Sequence, residues 1–182
     1  MLSLKLDLSD VILQMAIKGL AREPDEHDDE QSIRLLWTNT DFSLHGRFIN
    51  YEVTDDEMFM VEEISYLQHG LEALINNELK EECVVQFVEP DLSFYLYPAK
   101  RLYDEPGKVS YRNGYMDREL FAQLTVKFWC KEGGLGGNSF TMTMVKDDIE
   151  AFLIYLKTVT KELNEEDAPV QRMLSEGKII RG

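Results

Sequence analysis

Leu2-Ser3-Leu4-Lys5-Leu6-Asp7-Leu8 places a leucine at every second position with a polar residue between each pair, and the reading of this stretch decides the fold. In an extended chain successive side chains point to opposite faces, so the four leucines share one face and Ser3, Lys5 and Asp7 the other. One-sided patterning is the mark of a sheet with a solvated face, which antiparallel sheets tolerate. Strands buried on both faces of a parallel sheet read as continuous apolar runs instead. The alternation resumes at once with Val11, Leu13, Met15 and Ile17 against Gln14, Ala16 and Lys18. This second segment reads as a strand, although a helix also accommodates it.

Period two returns several times. Ile33, Leu35 and Trp37 line up on one strand face and Phe42, Leu44 and Phe48 on another, with Thr38-Asn39-Thr40-Asp41 reading as the hairpin turn between them. Val84 to Val88 is followed across Glu89-Pro90-Asp91 by Leu92, Phe94 and Leu96; proline cannot donate to a ladder, so the break falls there. Ala122, Leu124, Val126, Phe128 and Cys130 share a face, and Phe140, Met142 and Met144 share another beyond a glycine-rich connection, an expected hairpin.

Two segments switch to helical spacing. Val61, Ile64, Leu67, Leu71, Leu74 and Ile75, with Glu62, Glu63, Gln68 and Glu72 between them, predict an amphipathic helix over 61–79. Thr54-Asp55-Asp56-Glu57 has the form of a capping box that starts it early, while Met58 to Val61 reads equally as a short strand. Gly70 costs this helix about 1 kcal/mol relative to alanine, so tertiary packing must hold it. Ile149, Phe152, Leu153, Leu156 and Val159 predict the second helix over 147–163, with Asp147 and Asp148 matching its positive N-terminal end.

Glu23 to Glu30 contains no apolar residue and reads as a solvated loop, and Pro98 to Asp117 as a long irregular excursion. The expected architecture is α+β: mainly antiparallel sheet with two principal amphipathic helices, a single domain over 1–163 and a C-terminal tail or short helix over 164–182.

Bulk properties restrict the function. The 182 residues carry 34 acidic and 19 basic side chains, a net charge of -15. Such a field repels nucleic-acid phosphates and anionic membranes and draws cationic partners; it also serves plain solubility. The N-terminus lacks the form of a signal peptide, and no apolar stretch is long enough to cross a bilayer. With Cys83 and Cys130 lying singly in apolar runs as expected buried thiols, a cytoplasmic location is expected.

Candidate chemistry is sparse. Gly133 to Gly137 lacks the spacing of a phosphate loop and leads into a strand, so a hairpin loop is expected. His27, His45 and His69 are scattered, and the acidic loop around His27 lacks the periodicity of a calcium site. Glu89 and Asp91 flank Pro90 as a carboxylate pair, but acid–base work needs carboxyls in two different environments, so a hydrolase built on them is the remaining alternative. No catalytic residue, metal or cofactor is expected.

The aromatic residues say more. With Leu92, Phe94 and Leu96 facing the core, Tyr95 and Tyr97 face away, and with Phe128 inward Trp129 faces outward. Tyr and Trp on a polar sheet face supply contact area at low entropic cost. Tyr95, Tyr97, Trp129, Glu89 and Asp91 are therefore the candidate partner surface, unless a helix, the excursion or a second copy of the chain covers it.

Strands carrying Trp37 and Phe48, the helix from Val61, the segment Phe87-Val88-Glu89-Pro90-Asp91-Leu92-Ser93-Phe94, a strand pair and the helix to Leu163 together resemble the WapI-like group of small bacterial immunity proteins over most of residues 2–163. The resemblance implies a protein partner, a toxic domain made by the same cell, and brings no catalytic residues with it. A basic toxin domain would give the acidity a use. A self-associating structural protein, a homodimer, is the alternative.

Overall fold

In the computed structural model, which describes residues 1–88, 92–99, 119–127 and 139–182, the leucine alternation forms strand β1 (Leu2–Leu8) with Leu4 and Leu6 sealed in the core. Strand β2 (Val11–Leu20) folds back antiparallel, Leu4 opposite Met15 and Leu6 opposite Leu13. The strand reading of this segment therefore holds. Ser9 adopts φ 68° in the connection, the left-handed geometry that tight hairpins require.

The next region departs from the expectation. Glu30–Arg34 form a short helix, α1, begun by Asp29, whose carboxylate accepts the Ser32 backbone N–H at 2.7 Å. Ile33 thus lies in a helix and Leu35 just beyond it, 54% exposed, rather than on a strand face with Trp37. Strand β3 (Trp37–Gly46) then runs through Thr38-Asn39-Thr40-Asp41, the expected turn. Thr38 and Thr40 are buried on the same face as Phe42 and Leu44. Threonine suits a buried strand position because it is β-branched, and the Thr38 hydroxyl donates to the Phe59 carbonyl at 2.9 Å. The real hairpin lies between Gly46 and Asn50 and leaves Phe48 85% exposed at its tip. Gly46 has no room for a side chain: a Cβ would overlap the Asp10 carbonyl oxygen.

Strand β4 (Asn50–Met60) absorbs the supposed capping box, Thr54 to Glu57, as an irregular edge where the register against β3 shifts and Asp55 takes φ 53°. Helix α2 (Val61–Ile75) follows directly. Its real N-terminal acceptor is Glu63, whose carboxylate takes the Met60 N–H at 2.8 Å and the Val88 N–H at 2.5 Å. Glu63 and Gln68, nominally on the polar side, are both buried for this kind of reason: Gln68 donates to Glu162 at 2.6 Å and accepts from Thr160 at 3.1 Å.

Strands β5 (Cys83–Gln86), β6 (Leu92–Tyr97), β7 (Phe121–Lys127) and β8 (Ser139–Met144) make a second sheet in that order, all neighbours antiparallel, and β7 and β8 are the expected hairpin partners. Gly70 explains itself here: a Cβ would come within 3.1 Å of Leu96 and 3.3 Å of Val85, so its absence lets α2 settle onto β5 and β6. Helix α3 (Lys146–Val159) lies between the sheets. Phe152 stacks on Phe94 of the second sheet at 5.4 Å, and Tyr155 reaches β2 of the first. Phe59, Phe87 and Phe94 continue this line of rings, edge to face, at 5.2 and 6.0 Å.

Both principal helices stop earlier than 79 and 163. Asn77 (φ 57°) and Lys161 (φ 62°) turn left-handed, while Glu78 N–H bonds Ala73 O and Glu162 N–H bonds Lys157 O, the Schellman arrangement. Residues 164–182, expected as a tail or short helix, contain helix α4 (Ala168–Ser175) and strand β9 (Ile179–Arg181). Val170, Met173 and Ile179 join the core, and β9 pairs with β1, completing a first sheet ordered β4-β3-β2-β1-β9. The α+β architecture with antiparallel sheets stands as expected.

Candidate functional site

The outward face of the second sheet carries little charge among the described residues. Along the second sheet, Val84, Tyr95, Gln123 and Thr143 are cross-strand neighbours on the side away from Phe94 and Leu96. Tyr95 and Tyr97 therefore point away from the core side, half-buried. Tyr97 is engaged locally: its ring stacks on Phe121 at 4.4 Å, and its hydroxyl donates to Gln123 at 3.3 Å. Lys127 is the one formally charged residue in the four strands of this sheet among the described residues. Trp129, Glu89 and Asp91 lie outside the described residues, as do Cys130 and the glycine run Gly133 to Gly137. Cys83 is a free thiol, half-buried.

Acidity is concentrated elsewhere. Residues 1–88 contain 19 acidic and 6 basic side chains, a balance of -13, while residues 89–182 contain 15 and 13, a balance of -2. The first part builds β1 to β4, α1, α2 and β5. Its strand edge, β4, carries Glu52, Asp55, Asp56 and Glu57, which also discourages pairing with a stray strand. Lys18 spans Asp41 and Asp55 at 2.7 Å to each. Burial works to raise the Asp41 pKa, but the Lys18 ammonium and the Asp55 N–H outweigh it and hold the carboxyl below its ordinary value.

Beside that edge, α1 and α2 meet in a corner tied by a hydrogen bond from Val61 N–H to Leu36 O at 3.0 Å. A hollow of about 500 Å3 opens on it, lined by Arg34, Val61, Glu62, Ser65, Tyr66 and His69. Tyr66 is 59% exposed and donates its hydroxyl to Glu62 at 2.6 Å; that carboxylate holds the phenol above its ordinary pKa. Glu30 and Arg34 form an exposed pair at 3.3 Å, and Leu35 stands out next to them. Sequence reading placed Leu35 on a strand and passed over Tyr66. The available signal was an aromatic residue off the apolar stripe of an amphipathic helix.

Among the described residues no group of three or more His, Cys, Asp or Glu side chains is placed to hold a metal ion. His45 and His69 are engaged with Asn50 and the Ser65 carbonyl, each at 2.6 Å. No helix among the described residues is long and apolar enough to cross a membrane. The arrangement offers surfaces for macromolecular contact, one acidic with exposed aromatic and apolar groups, one nearly uncharged.

No curated protein matches the chain. Residues 6–164 match the Immunity protein WapI-like family, and the chain belongs to that family.

Proposed function

We propose that this protein is a non-catalytic inhibitor that acts in the cytoplasm by binding and neutralising a basic toxin domain. The observation that carries the reading is the uneven charge: within an immunity-protein family, this chain gathers -13 of its -15 in residues 1–88. A field of one sign on one part of a molecule raises the rate of encounter with an oppositely charged partner and orients it. Toxin domains that cleave nucleic acid need positive charge to hold phosphates, so an acidic inhibitor competes for the same surface.

The test is co-purification of bound partners from the native host, followed by association kinetics of the captured complex across a salt series. Association should slow by roughly tenfold or more as salt rises, because screening shortens the reach of the field. A complex that forms equally fast at high salt would remove the electrostatic part of the proposal. Absence of any complex would remove the whole.

A second reading, self-association, is favoured by one observation: two copies of a chain carrying -15 meet with least repulsion through a face poor in acidic groups, and among the described residues the outer side of β5 to β8 carries only Lys127. It is also where Tyr95, Tyr97 and, by sequence alternation, Trp129 were expected to offer contacts. Light scattering of the Tyr95→Ser, Val84→Ser double variant tests it; an unchanged mass, monomeric before and after, counts against it.

A further inference from the structure

We infer that a second hollow, on the outer face of the first sheet, is a binding pocket for a single alkylammonium or guanidinium group, such as the end of a lysine or arginine side chain. Its shape follows from one small residue. Ala16 lies on β2 opposite Asp41 of β3, and its methyl group makes a low floor among longer side chains. Gln14, Ser43 and Glu52 form a row across β2, β3 and β4 along one side. Gly182 N–H bonds Met1 O at 3.0 Å, and these two residues line the hollow together with Ser3. It measures about 320 Å3, at the small end of the range for ligand pockets.

The lining is rich in hydrogen-bonding groups that the chain itself leaves uncommitted. Ser3 is only 4% exposed, yet among the described residues its hydroxyl has no hydrogen-bond partner, and the residue opens onto the hollow. Buried polar groups are as a rule paired, so one left open at a pocket wall is available to a ligand. The Gln14 amide, the Ser43 and Thr54 hydroxyls and the Glu52 carboxylate line the same hollow and likewise have no partner among the described residues.

The charge of the lining selects the ligand. It holds two carboxylates, Asp41 and Glu52, and no lysine or arginine. Asp41 takes both Lys18 and the Asp55 N–H at Oδ1, so Lys18 offsets that charge. Glu52 has no such cation among the described residues and is the uncommitted charge. His45 Nδ1 donates to Asn50 Oδ1 at 2.6 Å, because an amide oxygen only accepts, which leaves Nε2 of the neutral ring as an acceptor. An anion would meet Glu52 and the second oxygen of Asp41 with no cation in the lining to receive it. An ammonium or guanidinium brings several donors and the opposite charge, and the hydroxyls of Ser3 and Ser43 can turn to accept from it.

Amide NMR titration of the full chain with n-butylammonium and with ethylguanidinium at fixed ionic strength tests the inference, with n-butanol as the neutral probe. Both cations should give saturable shifts centred on Ser3, Gln14, Ala16, Ser43 and Glu52, and n-butanol none there. Glu52→Gln should weaken binding about tenfold or more, and Ser3→Ala about threefold. Ala16→Leu, which fills the floor and keeps every carboxylate, should abolish it. Glu57→Gln removes the same charge from β4 outside the hollow and should bind as the unaltered chain does. Thermal unfolding of each variant confirms that it is folded. A capped tripeptide with a central lysine that binds more tightly than n-butylammonium would place the group on a protein partner; equal binding would make a free small amine the ligand, and either supports the pocket. Shifts that never saturate, or that Glu52→Gln and Glu57→Gln reduce alike, would mean diffuse attraction to an acidic surface and overturn it. That failure leaves the inhibitor reading standing, since no partner protein takes part in the titration.

Discussion

Tyr155 Oη accepts a hydrogen bond from the backbone N–H of Ile17 at 2.7 Å, joining residues 138 positions apart. Ile17 sits where the β2–β3 register shifts, before Gly19 at φ 136°, so its N–H is served by a side chain from α3. Replacing Tyr155 by phenylalanine keeps the ring and removes the acceptor. The buried N–H is then unpaired, and urea unfolding should show a loss of about 1–3 kcal/mol.

The same residue makes an alkaline prediction. Burial raises the Tyr155 pKa from 10.0 to about 12, and the Ile17 N–H offsets only part of that. A folded-state pKa above the unfolded one means stability that is intact below pH 10 and declines as pH rises toward 12. The decline is of order 3 kcal/mol. Tyr155→Phe should lack this component, and unfolding midpoints of the two proteins measured between pH 9 and about 12 should therefore converge.

Glu63 holds the start of α2 to the end of β5. Its carboxylate receives the Met60 and Val88 N–H groups together, and it is 5% exposed. Glu63→Ala leaves two backbone donors unpaired at a charge-assisted site and should cost about 1.5–3 kcal/mol in chemical denaturation. Glu63→Gln, which retains one oxygen, should cost less. Equal losses for the two variants would mean that packing, not the carboxylate, matters there.

The C-terminal strand supports the first sheet. Ile179 is buried opposite Leu4, and Lys5 N–H bonds Lys178 O at 2.8 Å. Ile179→Ala should cost about 2–5 kcal/mol. Removing residues 177–182 should bare β1 as a sheet edge and raise the scattered mass through edge-to-edge association. A truncated chain that stays the same size as the full one would contradict this.

What was legible in the sequence was the period. Leu2 to Leu8 and Ile149 to Val159 announce strand and helix because a single face is apolar throughout. Where a polar residue sits on the buried side the reading fails: Thr38 and Thr40 looked like a turn, yet both are β-branched and continue a core face, the Thr38 hydroxyl satisfied by the Phe59 carbonyl. The helix ends were hidden for a similar reason. Asn77 and Lys161 adopt left-handed geometry that a Gly would advertise, and Leu79 and Leu163 beyond them still pack against the core, extending the apolar stripe past the real stop. The corner between α1 and α2 was the least legible. Tyr66 acquires meaning only from Glu62, Val61 and α1 beside it, and α1 itself is five residues without a buried member.

The pairing of Leu4 with Ile179 has a kinetic side. Closing so long a loop carries a large entropic cost before any contact returns it, so β9 is expected to dock after the transition state. Interactions made that late govern escape from the native state more than arrival at it. The last three-residue strand would then act as a latch on the lifetime of the folded chain, while the speed of its folding is set by the hairpins before it.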